Sequence, residues 1–177
     1  MYYFWESGIK KTNCENLIKT YAPLATINSA TVSEDGNQES NPNIRKQKVC
    51  WVESDEVIVR ALWSYILEAN NIFFHYDISK FEQCQFTKSD NSGFYSWHRD
   101  RGEDNRKLSA ILHLSDSTEY EGGELQFFKG DKDPEELPIK NRGGVIVFDA
   151  SDWHRLTPVL KGTRYSLVMW ASGSNFR

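Results

Sequence analysis

After Asn71 the chain breaks into short segments rich in β-branched and aromatic residues, separated by Gly, Asp, Ser and Asn. Segments of this length predict strands, and the residues between them predict turns. The run Val145–Phe148 is apolar throughout, so this strand is expected to be covered on both faces. Many short strands in succession favour a sandwich or a barrel. The predicted strands are Lys80–Thr87, Tyr95–Arg99, Leu108–Leu114, Glu124–Phe128, Leu137–Ile139, Gly144–Phe148, His154–Val159 and Arg164–Trp170.

The first part of the chain has a different texture. One helix is predicted to run to about Tyr21, and a second to follow Ser54, its candidate N-cap. Between them, Thr26–Lys48 is polar and predicts a long loop, which either folds over a substrate or lies on the surface. The whole chain of 177 residues fits a single domain. Within it, residues 1–71 are predicted to supply helical support and a loop, and residues 72–177 the β core.

Bulk properties disfavour several classes of protein. A formal net charge of -4 argues against a dedicated nucleic-acid binder, which carries a basic surplus. The cysteines Cys14, Cys50 and Cys84 are odd in number and widely spaced, which disfavours a disulfide framework and favours reduced thiols in a cytoplasmic protein. No apolar stretch reaches membrane-spanning length, and the first residues lack the pattern of a secretory signal.

Three residues form a candidate metal-ligand set. His98 and Asp100 are two apart in a predicted strand, so both side chains point to the same face. His154 follows the apolar strand that ends at Phe148. Two imidazoles and one carboxylate make up the facial triad of iron(II) oxygenases, which leaves metal positions open for other ligands. The same ligand types also suit zinc, and the spacing alone leaves both metals open.

Arg164 provides the feature that discriminates between these metals. It opens a predicted strand whose inward face carries Arg164, Ser166, Val168 and Trp170. A buried arginine requires an anionic partner because an unpaired buried charge is very costly. A carboxylate held by the two-pronged guanidinium is the natural partner, and Ser166 adds a hydroxyl donor. The far carboxylate of 2-oxoglutarate fits this description, and a structural Asp or Glu is the alternative.

The segment His154–Ser166 contains Pro-Val, Gly and Arg-Tyr-Ser in that order after its histidine. It closely resembles the C-terminal signature of the prolyl 4-hydroxylase-like family of Fe(II)- and 2-oxoglutarate-dependent oxygenases. Tyr95–Asp100 looks like its Tyr-x-x-His-x-Asp motif. Arg106–Asp116 resembles the strand that follows, and Glu121–Leu125 its Gly-Gly-Glu hairpin. The resemblance covers roughly residues 80 to 172 in the order typical of the family.

The resemblance implies a fold, a ligand set and cofactors. The fold is mainly β (α+β): a double-stranded β-helix of the jelly-roll or cupin-like type, with N-terminal helices packed on one sheet. His98, Asp100 and His154 are the implied iron ligands, and Arg164 the implied anchor for 2-oxoglutarate. The implied cofactors are Fe(II), 2-oxoglutarate and dioxygen, with ascorbate as a further candidate.

Secondary roles follow from the same resemblance. Tyr95, Ser109 and Ser166 are implied to line the 2-oxoglutarate pocket. Tyr95 lies an odd number of residues from His98, so its role requires a turn or a bulge between them. His113 alternates with two leucines and is expected to be a packed or hydrogen-bonded histidine. Candidate substrate contacts are Arg45, Trp51 and Trp153.

The leading functional hypothesis is a hydroxylase of prolyl residues in a protein or peptide, coupled to decarboxylation of 2-oxoglutarate to succinate. A hydroxylase of a free amino acid or another small molecule is the second. A non-catalytic cupin-like binding domain is the third, and the intact ligand set with Arg164 counts against it. The mild negative charge counts against a nucleic-acid demethylase.

Overall fold

The computed structural model describes residues 1–28, 31–32, 38–39, 41–54, 56–102, 105–137 and 139–174, with 31–32 and 38–39 described by their backbone alone. The first third of the described chain contains both helices and six strands. In chain order these elements are β1 (Tyr2–Trp5), α1 (Lys11–Tyr21), β2 (Ile27–Asn28), β3 (Thr31–Val32), β4 (Gln38–Glu39), β5 (Arg45–Lys46), β6 (Lys48–Trp51) and α2 (Val57–Ala69), which continues as a π-helical turn (Asn70–Phe74).

The rest of the described chain is made of strands. They are β7 (Ile78–Phe81), β8 (Gln85–Ser89), β9 (Phe94–His98), β10 (Arg106–His113), β11 (Tyr120–Gly122), β12 (Leu125–Phe127), β13 (Glu135–Glu136), β14 (Val145–Asp149), β15 (His154–Leu156), β16 (Val159–Gly162) and β17 (Arg164–Gly173). The predicted mainly β class is therefore confirmed.

Two antiparallel sheets form the body. The large sheet has the order β1-β14-β10-β17-β8-β6-β2, and β7 also pairs with β17. The small sheet has the order β13-β12-β15-β9-β5. Ring contacts such as Phe127 on Phe148, with centroids 5.1 Å apart, join the inner faces of the two sheets. This arrangement of two facing sheets agrees with the predicted double-stranded β-helix.

The central strand β14 shows how the layers are organised. All four residues of Val145–Phe148 are fully buried, as their apolar run predicted. Val145 and Val147 pack in the core that lies between the large sheet and the helices. Ile146 and Phe148 face the second core, between the sheets. The large sheet is therefore covered on one side by helices and on the other by the small sheet.

Helix α2 covers the outer face of the large sheet, as predicted for the N-terminal helices. It packs against β10, β14 and β17. Leu62 and Ile66, one turn apart on its inner face, are fully buried. Each such burial contributes roughly 1.5–3 kcal/mol relative to exposure. The helix therefore fixes the strands that carry the candidate site.

Several local predictions were wrong. Ser54 does not cap α2, since the N-cap is Glu56 and it makes no side-chain capping bond. The strand predicted at Leu137–Ile139 is instead the pair Glu135–Glu136, and Pro138 lies outside the described residues. The predicted strand His154–Val159 is interrupted at Pro158, which lacks the N–H that a continuous ladder needs.

The N-terminal part contributes more than the helices and loop predicted for it. β1 forms one edge of the large sheet beside β14, and β6 with β2 extends its other edge. Within the predicted loop Thr26–Lys48, β5 pairs with β9 in the small sheet, although residues 29–30, 33–37 and 40 lie outside the described residues. Both sheets therefore depend on strands from the first fifty-one residues.

Candidate active site

The candidate metal ligands come from two neighbouring strands of the small sheet. His98 ends β9, and its cross-strand partner His154 begins β15. Asp100 follows His98 by two residues, and its two carboxylate oxygens lie 3.5 Å from Nε2 of His98 and 3.6 Å from Nε2 of His154. One ligand atom from each residue lies within 4.8 Å of the others. The structure thus brings together the three residues that the sequence singled out.

Both imidazoles are held so that Nε2 faces the cluster. Nδ1 of His98 lies 2.8 Å from the carbonyl oxygen of Ser96, and Nδ1 of His154 lies 2.9 Å from that of Asp152. A proton on each Nδ1 satisfies these carbonyls and leaves a lone pair on each Nε2. Burial lowers the pKa of His154 to about 4, an effect that the Asp100 carboxylate partly opposes. A neutral imidazole is the form that binds a metal, so the arrangement fits one.

Asp100 is fixed from the large sheet. Its Oδ2 accepts a hydrogen bond of 2.7 Å from Ser109 on β10. Burial by itself would raise the pKa of Asp100, but the imidazoles of His154 and His98 and the Ser109 hydroxyl lower it well below its usual range. The carboxylate is therefore ionised, with its second oxygen directed toward His98.

A bulge brings Tyr95 to the same face as His98. The residues paired with Tyr95 and His98 are Leu156 and His154, so three steps along β9 oppose two along β15. The expected irregularity between Tyr95 and His98 is confirmed. The Tyr95 ring stacks on the His98 imidazole, with centroids 3.4 Å apart, and burial raises the pKa of its phenol.

Arg164 begins β17, as predicted, and is 3% exposed. Its Nη1 donates a 3.2 Å hydrogen bond to Oγ of Ser166 on the same face of the strand. Among the described residues, no carboxylate lies within ion-pair distance of the guanidinium, and Nε has no hydrogen-bond partner. A buried cation without an acidic partner points to an anionic ligand.

Two further residues complete the surroundings of Arg164, and neither was predicted to have this role. Thr87 on β8 and His113 on β10 are the cross-strand partners of Ser166 on its two sides. Directly opposed residues share a face of the sheet, so the three side chains form a row beside Arg164. Oγ1 of Thr87 and Nε2 of His113 are buried without hydrogen-bond partners among the described residues. His113 is 3% exposed, so the predicted packed histidine is confirmed, and its Nε2 is left available for a ligand.

His113 is neutral in these surroundings. Burial, together with the positive charge of Arg164, lowers the pKa of His113 to about 3. A neutral imidazole still has one N–H to donate. Arg164, Thr87 and His113 thus each direct a donor with no protein partner to the same region. The only sign in the sequence that Thr87 and His113 belong to this site is side-chain alternation along their strands. Alternation gives the face of a side chain but does not show which strands pair.

The three candidate substrate contacts have different positions. Arg45 lies on the small sheet and reaches across to the large one. Its Nη2 donates a 2.7 Å hydrogen bond to Oε1 of Gln85 on the large sheet. Its guanidinium lies 4.5 Å from the centroid of the Tyr95 ring. Trp51 is the cross-strand partner of Gln85 and is 46% exposed. Trp153 lies on the outer face of the small sheet, next to His154 but on the opposite side of the strand. The first two lie near the site, and Trp153 does not.

Fold and site together define a metal-binding double-stranded β-helix protein. Residues 84–172, which are 89 of the 177 residues, match the family described as the 2OG-Fe(II) oxygenase superfamily. The chain belongs to this superfamily. No described helix has the length and apolar character needed to cross a membrane.

The chain is also similar to curated hydroxylases. It is 25% identical over 169 residues to a PKHD-type hydroxylase of Synechococcus sp. strain CC9311, a match that covers 92% of this chain and 74% of the relative. It is 34% identical over 96 residues to a PKHD-type hydroxylase of Synechococcus sp. strain CC9605, covering 52% of this chain and 43% of the relative. The chain therefore spans less than half of the second relative and about three quarters of the first.

Solved structures share the fold. A prolyl-4-hydroxylase of Pseudomonas putida superposes with a TM-score of 0.75 at 23% identity, covering 96% of this chain and 91% of that one. A prolyl hydroxylase from Trichoplax adhaerens, solved in complex with a peptide fragment of the hypoxia inducible factor, gives a TM-score of 0.78 at 17% identity, covering 97% and 83%. The predicted double-stranded β-helix is thereby confirmed.

Proposed function

We propose that this chain is an Fe(II)- and 2-oxoglutarate-dependent dioxygenase that hydroxylates a prolyl residue in a protein or peptide. The observation that carries the proposal is the buried guanidinium of Arg164, which has no carboxylate partner among the described residues. It lies in the same superfamily domain as an ionised Asp100 and two inward-facing imidazoles. Residues 1–177 act as one catalytic domain in this proposal.

The His-Asp-His cluster is assigned to iron(II). His98, Asp100 and His154 would hold the metal on one side and leave its other positions open. Bound iron supplies the activation of dioxygen that is coupled to decarboxylation of 2-oxoglutarate to succinate. The backbone carbonyls of Ser96 and Asp152 fix the imidazole tautomers, so the ligands are oriented before the metal arrives. Ascorbate is the proposed reductant.

The row beside Arg164 is assigned to the far carboxylate of 2-oxoglutarate. The Arg164 guanidinium supplies the charge, and the hydroxyls of Ser166 and Thr87 and the Nε2–H of His113 supply neutral donors. Each of these buried donors gains a partner when a carboxylate binds, which removes the cost of leaving it unsatisfied. A dioxygenase of this kind requires an anion subsite for the far carboxylate of its 2-oxo acid, so this donor set favours iron with 2-oxoglutarate over zinc.

Tyr95 and Ser109 are assigned to positioning. Tyr95 stacks on His98 and restricts the rotation of that ring. Ser109 holds Asp100 from the opposite sheet. Both sheets hold the candidate metal ligands, so a small movement of one sheet relative to the other would alter the ligand geometry. The contacts of Tyr95 and Ser109 oppose such movement and thereby preorganise the site.

A peptidyl substrate is supported by the solved relatives, which include prolyl hydroxylases and one peptide complex. Near the site, Trp51 offers an exposed indole against which a prolyl ring can pack. Arg45 lies over the Tyr95 ring and donates to Gln85, which is the cross-strand partner of Trp51. The buried free thiols of Cys14, Cys50 and Cys84 support a reducing, cytoplasmic location.

The test is an anaerobic titration of the metal-free protein with Fe(II) and then 2-oxoglutarate, followed by visible absorption. Chelation of iron by the 2-oxo acid gives a charge-transfer band that neither component gives alone, and we expect it to be lost in His154→Ala. Succinate release is then measured with proline-containing peptides and with free proline. Iron binding without the band would contradict the cofactor assignment, and turnover of free proline alone would contradict the peptidyl substrate.

A further inference from the structure

The outer face of the small sheet carries a two-row array of arginine and aromatic side chains. Because neighbours along a strand alternate in direction, the residues that flank His98, His154 and Phe127 all point away from the metal cluster. The strand register pairs Gln126 with Arg155, and the Arg155 guanidinium lies over the Trp97 ring, so these three residues form one row. Phe128, Trp153 and Arg99 follow in the next, where the Phe128 amide donates to the Trp153 carbonyl at 2.9 Å. We call these six residues the outer array.

The outer array is ordered by cation–π and ring contacts. The guanidinium of Arg155 lies 4.6 Å from the Trp97 ring centroid, and that of Arg99 lies 5.0 Å from the Trp153 ring centroid. Phe128 meets Trp97 edge-on at 5.8 Å. Stacking uses the flat face of a guanidinium and leaves its N–H edge directed outward. The two arginines are thus held in place with donors available.

Two of the three aromatic residues of the outer array are exposed to solvent, and the third, Trp97, is half-buried. Trp153 is 44% exposed and Phe128 is 55% exposed. Exposed tryptophan, phenylalanine and arginine together are typical of the energetic centre of a protein–protein interface. They are not required for the core, since the inner faces of the same strands already pack between the sheets.

The charge of the outer array is not neutralised. Among the described residues, neither Arg99 nor Arg155 has a carboxylate within ion-pair distance, and Nε of Arg155 donates to the neutral amide of Gln126 at 2.8 Å. Three nearby acids have partners of their own: Glu135 pairs with Lys129, and Asp152 pairs with the N-terminus. Glu136 pairs with Lys140 and accepts a 3.1 Å hydrogen bond from Nε2 of Gln126. Two uncompensated cations therefore stand on a protein whose net charge is -4.

We propose that the outer array is a docking surface for an extended acidic segment of a partner protein. Carboxylates of the segment pair with the guanidinium edges of Arg99 and Arg155, and its apolar side chains pack on Trp153 and Phe128. A polynucleotide fits less well, because the two cations of the array, Arg99 and Arg155, neutralise little of a backbone that carries a negative charge at every phosphate. The surface lies on the opposite side of the sheet from the His-Asp-His cluster, so docking leaves the metal ligands free.

The probe is a fluorescein-labelled peptide of Glu-Phe-Glu-Gly repeats, followed by fluorescence anisotropy with the full chain. We expect binding that weakens as salt is added. Each arginine–carboxylate bond lost should reduce affinity by roughly tenfold, so the double variant Arg99→Gln/Arg155→Gln should bind far more weakly. The charge-matched control Lys19→Gln/Arg60→Gln changes two exposed residues on the helices and should bind like the unmodified chain.

Several outcomes would overturn the proposal. If a Gln-Phe-Gln-Gly peptide bound as tightly as the acidic peptide, charge would play no part in binding. If both double variants lost the same affinity for the acidic peptide, the attraction would be unspecific. Tighter binding of a single-stranded oligonucleotide through the same arginines would assign the array to nucleic acid. A dimer in sedimentation that is lost in the double variant would assign it to a second copy. If the arginine variants do not fold, the affinity for the acidic peptide is measured with Trp153→Ala instead. Trp153 is exposed, and its loss should also weaken binding.

The proposal is separable from the proposed enzymatic function. Iron and 2-oxoglutarate binding are measured in the same double variant and should be unchanged, because both arginines lie on the outer face. Loss of peptide binding with retained cofactor binding supports the outer array alone. Failure of the peptide to bind the unmodified chain at low salt rejects the outer array and leaves the dioxygenase proposal intact.

Discussion

The hydroxyl of Ser109 donates a 2.7 Å hydrogen bond to Oδ2 of Asp100, and this bond ties a ligand at the end of the small sheet to a central strand of the large one. Ser109→Ala should weaken Fe(II) binding by roughly 10–100-fold, the usual cost of losing a residue that orients a metal ligand. Anaerobic calorimetric titration measures the affinity for Fe(II). Ser64→Ala, on the exposed side of α2, is the control and should change nothing. Full affinity in Ser109→Ala would mean that the carboxylate is fixed by other contacts.

Arg164→Gln should abolish tight binding of 2-oxoglutarate while sparing the metal. Removing one partner of a buried charge pair costs about 3–5 kcal/mol, which corresponds to roughly a hundredfold to several thousandfold in the dissociation constant. Calorimetry with the iron-loaded protein measures the binding of 2-oxoglutarate, and Arg60→Gln on the surface is the control. An unchanged constant for 2-oxoglutarate would make Arg164 a structural residue.

His113→Phe tests the neutral donor beside Arg164. Glutarate has the far carboxylate of 2-oxoglutarate but no keto group, so its binding to the metal-free protein reports on this subsite alone. Loss of one hydrogen bond to a charged group should weaken glutarate binding by roughly tenfold or more. His113→Gln keeps an N–H donor and should retain part of the affinity. Equal binding in all three proteins would place His113 outside the subsite.

The depressed pKa of His113 also predicts a pH effect on stability. Above its usual pKa, His113 is neutral in both the folded and unfolded chains and contributes no pH dependence. As the pH falls from there toward 3, the unfolded chain takes up a proton that the folded chain refuses, so the free energy of unfolding decreases by up to about 1.4 kcal/mol per pH unit. Urea unfolding at several pH values should show His113→Phe gaining stability relative to the unmodified chain in this window. Parallel pH profiles would contradict the buried neutral state.

Gly123 connects the Gly-Gly hairpin to the anion subsite. It has a φ of +64°, and a Cβ there would lie 2.9 Å from Cγ2 of Val159 and 3.2 Å from Cδ of Arg164. Gly123→Ala should therefore lower stability and also weaken 2-oxoglutarate binding by displacing Arg164. Gly130→Ala is the control. Gly130 has a φ of +69° with open space around it, so this substitution introduces backbone strain without a steric contact. Equal effects of the two substitutions on 2-oxoglutarate binding would contradict the contact with Arg164.

The sequence was informative where chemistry depends on short spacings. His98 and Asp100 are two apart, and Arg164 and Ser166 are two apart, so strand alternation alone places each pair on one face. The odd spacing from Tyr95 to His98 even required the bulge that the structure contains. The apolar run Val145–Phe148 likewise predicted a strand buried on both faces.

Predictions from the sequence were wrong or incomplete where the outcome depended on distant partners. Lys48 ends the predicted polar loop, yet Lys48–Trp51 forms a strand that pairs with β8 and extends the large sheet. The packed position predicted for His113 is confirmed by its burial, but the sequence did not indicate that His113 shares a row with Ser166 and Thr87. Nor did it indicate that the Trp153 ring lies under the Arg99 guanidinium. In each case the local pattern gives the direction of a side chain and does not give its neighbour.

The sequence by itself therefore determined the ligand types, the anchor and the family-like order of the motifs. Only the tertiary structure decided that Thr87, Ser166 and His113 form one row, because they come from three strands whose pairing joins residues far apart in the chain. The same holds for the bond from Ser109 to Asp100 and for the outer array. Strand pairing is set by the burial of whole faces and the geometry of closure, and these are properties of the folded sheets rather than of any local segment.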